Sequence, residues 1–260
     1  MNLSSSCCLA AAQSASVPCD VPANLQTHLR FIAAAQAALV DVLVFPELSL
    51  TGYELPHLGQ HLLSPEDAVL APLRALVDQG HTTVVVGAPA ATPQGLPGIA
   101  AFIYTPGAAP TVYFKQHLHP GEDQHVASPP RPTPRHRLES LGGMPWALCV
   151  CADLADASHA ASAAAQGAQL YLASALISEN GYAADAALLQ CHARQGRMGV
   201  LLANHAAPSG GYVSAGRSAF WGPDGTLVVS APGAGDALVL ARHSAQGWTG
   251  EVLSVENEHA

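Results

Sequence analysis

Charged side chains are scarce in this chain, and basic ones are the scarcest. Only 11% of the 260 residues are charged, and 10 Lys and Arg stand against 19 Asp and Glu, which gives a formal net charge of −9. The basic residues form no cluster, which argues against nucleic acid as a partner. Because hydrophobic residues make up 49% of the chain, little polar surface accompanies each buried residue, and this favours self-association.

Paired cysteines and long apolar segments are also absent. The six cysteines (7, 8, 19, 149, 151 and 191) lack the paired spacing of a small secreted scaffold. We therefore expect reduced thiols in a reducing compartment, the cytoplasm. The first residues lack the basic segment of a secretory signal peptide. No window is long and apolar enough for a transmembrane span, so we expect no membrane partner.

The hydrophobic pattern alternates between short apolar runs and helical spacing. Buried strands are predicted at residues 6–12, 40–45, 82–86, 147–151, 167–174 and 198–204. Helices are predicted between them: one capped by Asn24, one from Ser64 to about Gln79, one over 157–166 capped by Asp156, and one over 183–195. This alternation indicates an α/β fold.

Some apolar runs are better explained as hairpins than as parallel crossover units. Residues 99–104 pair with 111–114 in this prediction, and residues 218–221 pair with 226–229 across a Pro-Asp-Gly turn. Residues 236–241 are expected to form the last core strand. The sheets should therefore be mixed, with some strands antiparallel.

Cys151 lies where a buried strand changes to a helix. The apolar run that begins at Ala147 ends here, and Asp156 stands at the expected N-cap of the next helix. Such points suit reactive groups, because the strand end is rigid and a helix N-terminus favours negative charge. Taken alone, Cys151 fits either a reactive thiolate or a buried structural cysteine. Cys149, two residues earlier, is expected to be a small core residue.

Three further polar residues follow apolar runs or a turn. Glu47 comes directly after the 40–45 run, where a carboxylate is costly to desolvate unless it has a partner or a chemical task. Lys115 ends the 111–114 run, and Glu122 follows a Pro-Gly turn. An exposed loop glutamate and a solvated strand-end lysine are the simpler alternatives for Glu47 and Lys115.

Three stretches together resemble the nitrilase, or carbon-nitrogen hydrolase, superfamily. They are Phe45-Pro-Glu-Leu-Ser-Leu-Thr-Gly-Tyr53, Lys115-x-x-Leu-x-x-x-Glu122 and Cys151-Ala-Asp153, in the family's order. The closing segment Gly222-Pro-Asp-Gly225 is similar as well. Asp153 sets the register of the family's Cys-x-Asp motif at Cys151, because Cys149 has no Asp two residues later. The resemblance covers nearly the whole chain.

The resemblance implies an α-β-β-α sandwich with a Glu-Lys-Cys catalytic set. It makes Glu47 the general base, Lys115 the catalytic lysine, Cys151 the nucleophile and Glu122 a second glutamate that supports the site. Such a set cleaves a carbon–nitrogen bond through a covalent acyl-enzyme, which divides one difficult step into two easier ones. The implied chemistry needs no metal and no organic cofactor.

We expect Ala152, Tyr53, Ser174 and Asn204 to contact the substrate. Ala152 stands where many family members carry a bulkier residue. The family's Arg-Ala-x-Glu-Asn helix motif appears here as His192-Ala-Arg-Gln-Gly196. These departures leave the catalytic set intact but leave the identity of the substrate open.

Several functions remain open at this stage. A small amide is the favoured substrate, and a nitrile or an N-carbamoyl amine is the alternative. A family-like protein that has lost turnover and acts as a binding module is a second hypothesis. A metal-dependent hydrolase is a third, because His117, His119, His125 and Glu122 lie close together in the sequence.

Domain organisation and assembly are also predicted. Residues 127–137, rich in Pro and Arg, are interpreted as an irregular surface loop within a single domain spanning 1–260. By resemblance, two chains are expected to pair into a four-layer homodimer, or a higher homo-oligomer. The C-terminal tail, residues 242–260, is expected at that interface.

Overall fold

Two β-sheets pack face to face at the centre of the fold, and helices cover the outer face of each. The computed structural model describes residues 6–127, 139–141 and 143–255. The predicted loop at 127–137 therefore lies almost entirely outside the described residues. Within the described part of the chain, no helix combines the length and the apolar character needed to cross a membrane.

The strands and helices alternate along the chain as an α/β fold requires. The strands are β1 (Cys7–Gln13), β2 (Val42–Val44), β3 (Thr83–Ala91), β4 (Pro97–Tyr104), β5 (Thr111–Phe114), β6 (Glu139–Leu141), β7 (Met144–Val150), β8 (Leu170–Ala175), β9 (Gly199–Asn204), β10 (Ala219–Trp221), β11 (Leu227–Ser230), β12 (Ala237–Ser244) and β13 (Gly247–Leu253). The helices are α1 (Val21–Ala37), α2 (Ala71–Asp78), α3 (Ala157–Ala165) and α4 (Tyr182–Gly196).

The strands form one seven-stranded and one six-stranded sheet. Their orders are β13-β12-β1-β2-β3-β4-β5 and β11-β10-β9-β8-β7-β6. The centre of each sheet is parallel, with β1, β2 and β3 in one and β7, β8 and β9 in the other. The hairpins predicted for β4 with β5 and for β10 with β11 are antiparallel. Both sheets are therefore mixed, as expected.

Three apolar layers hold the sandwich together, and strand alternation decides which residue enters which layer. On β2, Val42 and Val44 face the space between the sheets, while Leu43 packs under α1 against Phe31. On β7, Val150 faces the inter-sheet core, and Cys149 packs under α3 and α4. Full burial of each large apolar side chain contributes roughly 1.5–3 kcal/mol. The predicted α-β-β-α sandwich is confirmed.

The predicted start of the first helix was wrong. Asp20, not Asn24, is the N-cap, and its side chain accepts a hydrogen bond from the Ala23 N–H at 3.0 Å. Asn24 is buried inside the first turns, where its amide contacts the backbone of Val17 and Leu50. Tertiary hydrogen bonds therefore occupy the side chain that local pattern assigned to capping.

The second helix also begins later than predicted. Residues Ser64 to Asp67 form a turn, and a short 3-10 turn over Ala68–Leu70 precedes α2. Pro72 explains the difference, because proline lacks an N–H and is tolerated only in the first turn of an α-helix. A helix that started at Ser64 would have placed Pro72 in its interior.

The C-terminal tail contains a strand that the sequence pattern did not predict. β13 pairs antiparallel with β12 and forms an edge of the seven-stranded sheet. Trp248 on β13 packs against Phe220 of the other sheet, with 4.4 Å between ring centroids. The alternation on β13 is weak because most of its side chains are exposed or half-buried.

Candidate active site

Glu47 follows β2 in a backbone turn that packs directly against the backbone of β3. Leu48 has a left-handed φ of 52°, which a residue with a β-carbon seldom adopts. Gly87 of β3 passes so close that a β-carbon there would lie 2.3 Å from the Leu48 nitrogen and 2.4 Å from the Pro46 oxygen. Gly87 therefore permits the close approach that holds Glu47 in place.

Two buried, neutral histidines hold the same turn. The Nε2–H of His205 donates to the Glu47 carbonyl oxygen at 2.7 Å. The Nδ1–H of His28 donates to the Asn24 carbonyl oxygen, so its Nε2 accepts from the Ser49 hydroxyl at 2.9 Å. Burial lowers the pKa of each histidine to about 4. Both imidazoles are therefore uncharged at neutral pH, with fixed tautomers.

Lys115 joins two buried carboxylates. It follows β5, and its ammonium group donates to Glu47 Oε1 at 2.7 Å and to Glu122 Oε1 at 2.6 Å. All three side chains are fully buried. Glu122 also accepts the Tyr53 hydroxyl at Oε1 and the His119 N–H at Oε2, the latter at 2.7 Å. We call Glu47, Lys115 and Glu122 the charge cluster.

The charge cluster sets the protonation state of its members. Burial lowers the pKa of Lys115, but the neighbouring carboxylates, Glu47 first and then Glu122, outweigh burial and raise it, so Lys115 stays cationic. Burial raises the pKa of Glu47, the Lys115 charge opposes that rise, and the Glu122 charge adds to it. Glu47 Oε2 has no hydrogen-bond partner in the described structure. An unpaired oxygen on a carboxylate of raised pKa is well placed to accept a proton.

Cys151 lies at the end of β7, opposite the charge cluster. Its φ of 42° is left-handed, so the chain turns sharply out of the strand at this residue. The thiol contacts the Leu176 carbonyl oxygen at 3.8 Å and also lies beside the Glu47 carboxylate. Burial and the Glu47 charge raise the pKa of Cys151 well above its usual value, with Lys115 opposing. The free thiol is therefore protonated and needs a base before it can attack.

Asp153 connects the nucleophile turn to the lysine segment. Its Oδ1 accepts the N–H groups of Gln116 and His117 at 2.9 and 2.7 Å. Its Oδ2 accepts the Tyr113 hydroxyl at 2.7 Å and the Val150 N–H at 3.0 Å. These hydrogen bonds join β7 to the residues that follow β5. They explain in physical terms why an Asp stands two residues after Cys151.

A cavity of about 560 Å³ opens at Cys151. Its floor and walls include Tyr53 and Ala152, as expected from the sequence. Ser174 and Asn204, by contrast, are fully buried and do not line it. The cavity lining therefore gives no support to the expectation that these two residues contact substrate.

Ser174 and Asn204 instead support the residues around the cavity. The Ser174 hydroxyl donates to the Phe45 carbonyl oxygen at 2.8 Å, which ties the two sheets together beside Glu47. The Asn204 amide accepts the Ile177 N–H at 2.7 Å and donates to the Ile177 carbonyl oxygen at 3.0 Å. Ile177 lines the cavity. Both polar side chains are satisfied by the backbone and have no free group for a ligand.

The histidines of the metal hypothesis do not converge on Glu122. His117 lies between Asp153 and Asp156, with ring nitrogens 3.1 and 3.0 Å from their carboxylates. Both Glu122 oxygens are committed to Lys115, Tyr53 and the His119 backbone. Among residues 6–127, 139–141 and 143–255, no group of three His, Cys, Asp or Glu side chains is arranged to hold a metal ion.

Sequence reasoning did not find two of the residues that hold the Glu47 turn. Gly87 was visible as a glycine inside an apolar strand, which is the pattern of a close backbone approach. His205 follows the end of β9 and is a fully buried histidine whose ring is hydrogen-bonded to the Glu47 backbone. No sequence signal connects His205 with Glu47, because β2 and β9 belong to different sheets.

Comparison with known proteins gives the same family assignment over most of the chain. The model of the family described as carbon-nitrogen hydrolase matches residues 8–248. Three similar structures are of an amidase from Nesterenkonia sp. AN1, a protein of the nitrilase superfamily. A variant with butyramide is 26% identical, covers 92% of this chain and 91% of that chain, and has a TM-score of 0.81. A variant with acrylamide is 25% identical, with 93% and 92% covered and a TM-score of 0.82.

The third structure concerns the active-site cysteine of that amidase. It shows covalent addition of the acetamide moiety of fluoroacetamide at the active-site cysteine, with 26% identity, 91% and 90% covered, and a TM-score of 0.81. The family match and these structures agree with the fold. The chain therefore belongs to the carbon-nitrogen hydrolase family of the nitrilase superfamily, and it is a carbon–nitrogen hydrolase.

Proposed function

We propose that this enzyme hydrolyses a small, non-peptide amide, with Cys151 as nucleophile and the charge cluster as its acid–base machinery. The observation that carries the proposal is the buried Lys115 between Glu47 and Glu122, next to a thiol that opens on a cavity. Amide carbonyls are weak electrophiles, so a thiolate and a stabilised oxyanion are both needed. The amide complexes of the Nesterenkonia amidase support this substrate class.

The first half of the reaction forms a thioester. Glu47 takes the thiol proton, and the Cys151 sulfur forms a bond to the carbonyl carbon while the carbonyl π electrons move to oxygen. Lys115 donates two of its three N–H groups to carboxylates, so the third can stabilise the oxyanion together with the Ala152 backbone N–H. The carbon–nitrogen bond then breaks, and Glu47 transfers its proton to the departing amine.

The second half returns the enzyme to its initial state. Glu47 takes a proton from water, the resulting hydroxide attacks the thioester carbon, and the carbon–sulfur bond breaks. The Cys151 thiolate recovers a proton from Glu47, and the carboxylic acid leaves. Glu122 reacts with nothing in this scheme; it accepts hydrogen bonds from Lys115 and lowers the penalty for burying the lysine charge.

The alternative substrates, a nitrile or an N-carbamoyl amine, use the same nucleophile. Release of ammonia should therefore be measured from butanamide, from butanenitrile and from an N-alkylurea, with and without a chelator. We expect turnover of butanamide that persists with the chelator, disappears in Cys151→Ala and survives in Cys149→Ala. Turnover of only the nitrile or only the urea would show that the substrate is of that class and is not a small amide. Activity that survives in Cys151→Ala, or vanishes with the chelator, would contradict the mechanism.

We also propose that residues 1–260 form one domain and that two chains associate in a reducing, cytoplasmic setting. The low charge content and the partly exposed Leu188 of α4 support association. The free state of all six cysteines supports the reducing setting. Light scattering on a sizing column tests the assembly, and a monomer at micromolar concentration would contradict it. Of the proposed interface tail, residues 256–260 lie outside the described structure.

A further inference from the structure

The cavity at Cys151 is larger than the scissile amide requires. Its volume of about 560 Å³ lies within the ~300–1,000 Å³ range of pockets that enclose drug-sized ligands. Butyramide and acrylamide, the ligands of the similar amidase, have only four and three carbon atoms. The remaining volume can hold a substituent beyond the amide, and the side chains around it determine which substituent is favoured.

Two carboxylates stand in the cavity wall, and none of the described lining residues is Lys or Arg. Asp156 is already engaged. It caps α3 by accepting the Ser158 N–H at 2.8 Å and the Ser158 hydroxyl at 2.6 Å, and its other oxygen is 3.0 Å from His117 Nε2. Asp156 therefore has a structural task that does not depend on substrate.

Asp185 is different, because its carboxylate accepts no hydrogen bond from the described residues. It lies in the first turn of α4, where its own N–H donates to the Gly181 carbonyl oxygen at 3.1 Å. Oδ2 lies 3.5 Å from the position that a β-carbon on Gly181 would occupy, and both residues line the cavity. Burial raises the pKa of Asp185, and the charge of His119 opposes that rise. A half-buried carboxylate without a donor is costly, and a ligand that donates hydrogen bonds would relieve this cost.

We propose that Asp185 selects amides whose far end carries an ammonium group, so that the substrates of this enzyme are ω-amino amides. The inference rests on the proposed amidase function and adds the substrate class to it. An ammonium group offers three donors and a positive charge to a carboxylate that accepts no hydrogen bond from the described residues. A carboxylate at the far end of the substrate would face Asp156 and Asp185 and would be repelled.

His119 is the alternative partner for Asp185, and its position makes it the weaker one. Its ring lies at the exposed rim of the cavity, and its Nδ1–H already donates to the Pro120 carbonyl oxygen at 3.2 Å. A substrate ammonium group, held inside the cavity by the amide end at Cys151, would reach Asp185 with less loss of freedom. The apolar lining by Leu154, Leu176 and Ile177 suits the methylene chain between the two ends.

The test compares matched pairs of amides. For chain lengths of three to six carbons, kcat/KM is measured for each ω-amino amide and for the unsubstituted amide of the same length. We expect at least one length to show a preference of about fivefold or more for the amino amide, the size of a favourable, partly exposed ion pair. Asp185→Asn should reduce that ratio to about one. Glu251→Gln removes the same charge from the exposed face of β13 and should leave the ratio unchanged.

A binding experiment separates this inference from the proposed function. Calorimetry with Cys151→Ala, which cannot turn over, should show tighter binding of the amino amide than of its unsubstituted partner. The difference should disappear when Asp185→Asn is added. Equal or undetectable binding of both ligands, or a preference that survives Asp185→Asn, would overturn the inference. If the preference is present but the native enzyme hydrolyses neither amide, the proposed function fails and the Asp185 assignment stands.

Discussion

The seven-stranded sheet supplies the charged half of the proposed active site, and the six-stranded sheet supplies the thiol. Glu47 and Lys115 follow strands β2 and β5 of the first sheet, and Lys115 is hydrogen-bonded to two carboxylates before any substrate arrives. Cys151 follows β7 of the second sheet, and its thiol contacts the Leu176 carbonyl oxygen at 3.8 Å. One half is held rigidly by paired charges, and the other half is left uncharged and open to the cavity.

The charge cluster and the Cys151 thiol are held differently because their charges are present at different times. The Lys115 charge is present at all times, so the fold must always satisfy it, and unsatisfied buried charge is strongly destabilising. In the proposed mechanism the thiolate exists only during reaction, and Glu47 creates it by taking the proton. Fixed dipoles and charges stabilise a transition state most when they need no reorganisation. We therefore expect changes in the charge cluster to affect both folding and turnover, and changes at the thiol to affect turnover alone.

The largest expected effect separates the two thiols of β7. Cys151→Ala should lower kcat/KM for ammonia release by about 10⁴-fold or more, as loss of a nucleophile does elsewhere. The free energy of unfolding should change by less than about 1 kcal/mol, because Cys151 is only partly packed. Cys149→Ala is the matched control and should show the reverse, near-normal turnover with a cavity penalty of about 1 kcal/mol. A large loss of stability in Cys151→Ala would contradict the expectation that changes at the thiol affect turnover alone.

The next largest effect is expected from substitutions in the charge cluster. Lys115→Met leaves Glu47 and Glu122 buried without their cation and should lower the free energy of unfolding by about 3–5 kcal/mol. Glu47→Gln keeps the shape and leaves Lys115 paired with Glu122, so it should cost about 1 kcal/mol or less. Both variants should lose turnover. Denaturant unfolding measures the difference, and equal stability in the two variants would contradict the assigned role of Lys115.

The difference in stability between Glu47→Gln and the native protein should depend on pH, because the pKa of Glu47 differs between the folded and the unfolded states. Its folded pKa is raised by burial, so the folded protein binds the proton more tightly than the unfolded chain does. The stabilising effect is complete below about pH 4.3, the ordinary value for glutamate, and is lost as pH rises through the raised pKa. Glu47→Gln should therefore gain stability relative to the native protein as pH rises toward neutrality.

A smaller effect on stability is expected from His205, one of the two neutral histidines that hold the Glu47 turn. The pKa of His205 is lowered to about 4 in the fold, so its contribution is complete above about pH 6.5 and is lost as pH falls toward 4. The expected loss over this window is about 3 kcal/mol at most. His205→Gln keeps an N–H donor for Glu47 and should reduce the decline by that amount. An unchanged slope of unfolding free energy against pH would show that His205 is already protonated in the fold.

The smallest effect tests the close approach of β3 to the Glu47 turn. Gly87→Ala would place a β-carbon 2.3 Å from the Leu48 nitrogen, so the backbone must move, at a cost of about 1–3 kcal/mol. Turnover should fall with it, because Glu47 moves too. Gly233→Ala is the control, since a β-carbon there meets nothing within 4 Å. Equal activity and stability in the two variants would show that Gly87 does not position Glu47.

The side chains proposed as catalytic could be found from the sequence, because they lie in motifs that resemble those of the nitrilase superfamily. Glu47, Lys115 and Cys151 each stand directly after an apolar run, and strand ends are read from sequence with little ambiguity. Asp156 was predicted correctly as a helix cap from a local signal, since capping depends on residues two or three positions away. Asn24 shows the limit of such signals, because a capping residue can equally form tertiary hydrogen bonds.

The surroundings of the site could not be predicted, because they depend on how the two sheets meet. Ser174 and Asn204 lie at strand ends like Glu47 and Cys151, yet they face the opposite sheet and the neighbouring loop instead of the cavity. Asp185 gave no signal at all, since it is one acidic residue in the first turn of a helix. Only the packing of α4 beside the Cys151 turn brings it to the cavity wall.

The most direct test of the account is to locate the acyl group during turnover. The native enzyme is mixed with butanamide, quenched in acid within the first turnovers, digested and examined by mass spectrometry. We expect a butanoyl thioester on Cys151, seen as a mass increase of the peptide that contains this residue. The mass increase should persist in Cys149→Ala and be absent in Cys151→Ala. Hydrolysis of butanamide without any acyl group on Cys151, or with the acyl group on another residue, would contradict the central claim.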